Sequence, residues 1–282
     1  MGAWERAMPS TIPMMQIVEL HFRRSPTCDH AAVKARAQEI LESELDCSDL
    51  AGSDKPFLIV HKNHPVQFAT GQVPAQTAIF ASDKPPAVEN YRHEIQQSWR
   101  CRAAEELLSG CHATLLVTEM MARLLPAQDR VSLFHGVLRA VIEATNPDAL
   151  VFKHTQQVVE PSEYLAACDE GPILRPGSLN VRFFNIANSD GDMMMDTRGL
   201  TEIGLHDLQC HFRALDPSQV ARVLFNTALY IFEKGAVIDS GQTVAGIESG
   251  SKWHCQFENS LLEPKREVLD LNPGKPYAAG NR

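Results

Sequence analysis

At 282 residues, with 44% hydrophobic and 22% charged side chains, the chain is long enough for one large domain or two smaller ones with real cores. Its 26 basic and 35 acidic residues give a net charge of -9, which argues against a phosphate-backbone binder, so no nucleic acid is expected among its partners. The seven cysteines lack dense spacing and read as free thiols in a reducing compartment, and no apolar window approaches the roughly 20 residues that span a bilayer; the expectation is a cytoplasmic protein without membrane contact.

Met1 to Met15 holds charges and prolines and is read as neither signal peptide nor anchor. Gln16 to Phe22 alternates as a strand, and Ser25-Pro-Thr-Cys-Asp29 then caps a helix from Ala31 to Leu45. Phe57 to Val60 is a second strand, with Val66–Phe68 and Gln76–Phe80 completing a small sheet. Asp83-Lys-Pro-Pro86 breaks the pattern and marks a candidate boundary. A helix-prone connector, Asn90 to Leu108, carries Trp99 and leads to a strand at Ala113 to Glu119. A long amphipathic helix to Ala144 and a strand at Ala149 to Phe152 follow, placed as a parallel strand-helix-strand crossover.

Ser162 to Cys168 reads as a short helix, and Gly171 to Gly177 as a rigid loop. Leu179 to Ile186 and Met193 to Thr197 form a hairpin around a turn at Asn188 to Asp192. On the strand Leu208 to Phe212, Leu208, Cys210 and Phe212 share one face while Gln209 and His211 share the other. Asp216-Pro217 opens a helix that Gly235 closes. Trp253 to Phe257 is the last strand, and the tail from Asn272 reads as mobile.

Chemistry-bearing residues concentrate between Asn185 and Asp216, where six acids meet two bases. Asp190, Asp192, Asp196 and Asp207 are therefore the expected partner-binding rim, with Arg198 and Trp99 as anchors. Asp190-Gly-Asp192 lacks the ligand spacing of a calcium loop. Three adjacent Cys and His pairs cannot chelate one ion from opposite sheet faces, so no metal and no cofactor are expected. The catalytic alternative is a hydrolase site built from Cys210, His211 and His254 between two modules; buried thiols are the competing reading.

Gln97-Ser-Trp99, Leu115-Leu-Val-Thr118, His154 to Pro161, Asn180 to Asn185, Met195 to Leu200, Asp207 to Phe212 and Lys252 to Gln256 occur in an order that resembles the bacterial family named domain of unknown function 4261. The resemblance spans residues 97–271. It carries no reaction, and its members are similar to proteins found among toxin and secretion-system genes, which implies an immunity or accessory role.

The resulting expectation is an α+β fold with mixed sheets and helices packed mainly on one face, in two modules. Residues 1–86 form an N-terminal module, residues 87–271 the family domain and residues 272–282 a tail. Its expected role is non-enzymatic: neutralising a cognate, basic toxin or effector by occluding its active site. A homodimeric adaptor is the further alternative.

Overall fold

The computed structural model describes residues 15–49, 57–82 and 86–280. The expectation for Met1 to Met15 thus falls outside the described residues except at its end, as do residues 83–85 of the expected boundary. The chain divides between Ser178 and Leu179. Pro86 marks no division, because the strands on either side of it belong to one sheet.

The first unit contains β1 (Ile17–Phe22), α1 (His30–Leu41), β2 (Asp46–Asp49), β3 (Phe57–Phe68), β4 (Gly71–Ser82), α2 (Arg92–Gln96) and α3 (Ala104–Leu108). It continues with β5 (Ala113–Met120), α4 (Ala127–Thr145), β6 (Ala149–Phe152), β7 (Gln157–Val159) and α5 (Pro161–Ala166). Its seven strands run in the order β2-β3-β4-β5-β1-β6-β7, every neighbouring pair antiparallel. The connection β1-α1-β4-β5-α4-β6 is a split β-α-β arrangement of ferredoxin-like type, extended on both edges. β5 and β6 run the same way, as the crossover expectation holds, but β1 lies between them and pairs with both.

Alternation on the central strands explains the layers. Val18, Leu20, Leu150 and Phe152 pack with Val33 and Ala37 of α1 and Phe134, Val137 and Val141 of α4. Burying each such Phe or Leu contributes about 1.5–3 kcal/mol. Ala149 and Val151 point the other way, against Tyr91, Cys101, Ala104 and Leu108. The longest helices thus share one face, while the short α2 and α3 region covers the other. α1 and α4 approach closely at Gly136, where a Cβ would overlap the Leu41 side chain.

The second unit contains β8 (Asn180–Asn185), β9 (Met193–Arg198), β10 (Asp207–Phe212), α6 (Pro217–Lys234), β11 (Thr243–Ala245), β12 (Lys252–Asn259) and β13 (Glu267–Asn272). Its sheet order is β11-β12-β13-β10-β9-β8, with β10 and β13 parallel and the other pairs antiparallel. Asp216 caps α6 by accepting from the Ser218 N–H at 2.7 Å, and Pro217 occupies the first helical turn, where no amide donor is missed. The helix packs on β8, β9 and β10, burying Val220, Leu224, Ala228 and Ile231.

The tail is not free. Asn272 Oδ1 accepts from the Gly274 N–H at 2.8 Å, and Gly274, at φ 76, turns the chain back to the end of β10. There the Arg213 N–H donates to Tyr277 O, the Ala279 N–H donates to His211 O, and Ala279 is 1% exposed. Proline and glycine in 272–280 encode this turn, which packs residues 273–280 of the expected tail against β10; residues 281–282 lie outside the described residues. Among the described residues, no helix is long and apolar enough to cross a membrane.

Candidate functional site

The sheet of the second unit carries a row of polar side chains. Arg182 on β8, Asp196 on β9, Gln209 on β10 and Asp270 on β13 are successive register partners, so their side chains share one face. None is more than 4% exposed. Such a row survives burial only if its hydrogen bonds are made internally.

The Arg182 guanidinium donates through Nε to Asp196 Oδ1 at 2.8 Å and through Nη2 to Glu263 O at 3.0 Å. The connection between β12 and β13 delivers Arg266. Its Nη2 donates to Asp196 Oδ2 at 2.9 Å and to Thr197 O at 2.8 Å, while Nε donates to Asp207 Oδ2 at 3.0 Å. Asp207 also accepts from the Thr197 and Thr201 hydroxyls at 3.1 and 2.7 Å and from the Leu200 N–H at 3.2 Å. Alongside, Arg198 Nη2 donates to Glu202. Burial raises the Glu202 carboxyl above its ordinary range; Arg198 opposes the rise and Asp207 reinforces it.

This arrangement corrects the expected binding rim. Asp196, Arg198 and Asp207 are 1%, 3% and 0% exposed and serve as internal struts. Counting nearby acids missed Arg182 and Arg266, which come from distant sequence and neutralise them. Asp192 is pinned at 3.0 Å to Arg213 Nη2 and lies 3.8 Å from His211 Nε2. Asp190 stays exposed at the tip of the β8–β9 hairpin. Trp99, in the first unit, is half exposed.

The Cys/His alternative is not assembled. Cys210 is 0% exposed on the apolar side of β10, and His211 points to the opposite side. His254 is exposed on β12, separated from β10 by β13. All three lie within the second unit. Among the described residues, no group of three or more His, Cys, Asp and Glu could hold a metal ion.

Two clusters of the first unit were not legible beforehand. Glu19 and His21 on β1 face one another at 3.4 Å, and Lys153 Nζ sits 2.7 Å from Glu94 Oε1 and 4.8 Å from the centre of the Tyr91 ring. Burial opposes ionisation of Glu19, yet the neighbouring His21 and Tyr91 side chains and the Lys153 charge hold its carboxyl below the usual range. The Tyr91 hydroxyl is pushed upward by burial and by Glu19. Elsewhere, His135 bonds through Nδ1 to the Tyr164 hydroxyl at 2.8 Å and through Nε2 to Ser178 Oγ at 3.2 Å. Nucleophilic catalysis uses this order of groups, but His135 is 0% and Ser178 4% exposed. Here the imidazole fastens the 172–178 segment onto α4. Alternation reveals the strand that bears Glu19, but no local pattern announces Tyr91, Lys153 or Ser178 as partners.

The family described as Domain of unknown function (DUF4261) has a model that matches residues 196–272, the C-terminal part of the 97–271 span carried by the motifs. Comparisons with curated proteins and with solved structures find no match. The matched segment contains Asp196, Arg198, Glu202, Asp207 and Arg266, most of the buried charge layer. Residues 196–272 of this chain are thus similar to the DUF4261 family, as the motif resemblance implies.

Proposed function

We propose that the protein is a non-enzymatic binding protein, of the bacterial immunity type, that neutralises a cognate toxin or effector by occluding its active site. The observation that carries this reading is the presentation of Trp99. The indole is half exposed, yet its turn is fixed: Ser98 Oγ donates to Glu94 O and accepts from the Val158 N–H at 2.7 Å, and the Cys101 N–H donates to Ser98 O. A large aromatic held in one position loses little entropy on binding and is a common interface anchor. The tip at Asp190 supplies an acidic contact for a basic partner, in keeping with the net charge of -9. Co-expression with the product of the adjacent gene tests the reading through survival and co-purification.

The homodimer reading draws on a separate feature. Glu119 donates its N–H to Gln16 O beside the Ile17–Thr118 register pair, so Met15 and Met120 continue one ladder. With Met121 and Leu124, they are 37–62% exposed. Clustered exposed methionines and leucine suit an adaptable contact surface. Light scattering across a concentration series separates a self-associating chain from a monomer.

A further inference from the structure

We propose that the loop from Gly199 to Leu205, between β9 and β10, is a proton-linked latch that is held closed while Glu202 carries a proton and loosens when Glu202 ionises. The proposal stands apart from the partner-binding reading and rests on the geometry of one carboxyl group. Glu202 is 1% exposed. Its Oε1 accepts from Arg198 Nη2, whereas its Oε2 is buried without a hydrogen-bond partner. An ionised carboxylate presents acceptor sites on both oxygens, and leaving one of them dry is costly.

The charges facing Glu202 come from three elements: Arg198 on β9, Asp207 on β10 and Arg266 at the entry to β13. Arg266 is already committed to Asp196 and Asp207. Burial and the Asp207 charge outweigh Arg198, so the closed loop binds the Glu202 proton more tightly than water-exposed glutamate does. Opening returns the carboxyl to water and to its ordinary range. The closed state therefore gains its full proton-linked stability below the ordinary glutamate value and loses it as pH rises through the higher closed-state value.

The loop is built to move as a unit. Gly199 at φ 127 and Gly204 at φ 91 bracket a single helical turn, Thr201–Ile203, and both adopt backbone angles that suit a joint. Leu200, Ile203 and Leu205 are at most 3% exposed, so the open form is an excursion from a closed resting state.

Hydrogen exchange of the full chain between pH 5 and pH 8, corrected for intrinsic exchange, reads the latch. Protection of the amides at 200–205 should fall with rising pH by up to about tenfold per unit. In Glu202→Gln the loop should stay protected, with no such slope. A flat wild-type profile, or an unchanged slope in the variant, overturns the proposal. Carbon-13 NMR of the Glu202 side-chain carboxyl in the wild type keeps the test decisive if the variant does not fold. A midpoint above 4.5 is expected, and one at or below 4.5 overturns it.

Discussion

Arg266 lies 3.0 Å from Asp207 through Nε, with neither side chain more than 1% exposed. The same guanidinium reaches Asp196, so one residue ties β9, β10 and the β12–β13 connection together. Arg266→Met leaves Asp196 and Asp207 each without one charged donor in a dry layer. The expected loss is about 3–5 kcal/mol of unfolding free energy by chemical denaturation, because a broken buried pair strands its partner. Asp190→Ala, at the exposed hairpin tip, should change stability by less than about 0.5 kcal/mol.

Gly177 sits at φ 89 against Phe152, and its carbonyl accepts from Thr155 Oγ1 at 2.8 Å. Gly177→Ala combines left-handed backbone strain with overlap of the Phe152 ring. Strain costs about 1–2 kcal/mol, and overpacking about 1–3 kcal/mol. A lowered melting temperature is expected, with partial recovery in Gly177→Ala combined with Phe152→Leu.

Two buried histidines make the fold acid-sensitive. Burial, with the neighbouring His64 charge, pushes His61 down to about 4, and burial with Arg175 and His154 pushes His135 well below 6.5. Both bind protons more readily in the unfolded chain, so their stabilisation is complete above pH 6.5 and lost as pH falls from there toward the folded values. Each contributes a slope of about 1.4 kcal/mol per pH unit in that window. His61→Asn should flatten the slope between pH 6.5 and pH 4.5, as read by denaturant midpoints.

The same burial that explains the histidines marks what the sequence could and could not convey. Strand alternation at Gln16 to Phe22 and the Asp216-Pro217 start of α6 are local signals, and both match the structure. The short strand β7 and the edge strand β11 carry too few residues for a periodic signal. The acidic rim misled for a different reason. Asp196 and Asp207 look solvated when only their neighbours are counted, because the arginines that neutralise them arise 14 and 59 residues away. Asp190 kept its expected exposure because no distant base reaches the hairpin tip among the described residues.

Thiol reactivity distinguishes the inert-cysteine account from the nucleophilic one. Cys28 and Cys47 are partly exposed and the other five cysteines are buried, with burial and nearby acids pushing Cys101 up to about 11. Native protein should therefore show at most two fast-reacting thiols with a disulfide reagent, and seven after denaturation. Rapid modification of Cys210 in the native state would restore the catalytic alternative.

The binding reading gives Trp99 of the first unit and Asp190 of the second unit each a partner contact of its own, and neither supports the core. Trp99→Ala should leave the melting temperature within about 2 °C of wild type, as expected for a surface change, and should weaken the complex by at least about tenfold, as loss of a hot spot does. The most direct measurement is co-expression with the product of the adjacent gene, scored by survival and by co-purification. The account predicts protection and a complex with the wild-type chain, both diminished in Trp99→Ala and Asp190→Lys; no protection and no complex with the wild type would contradict it.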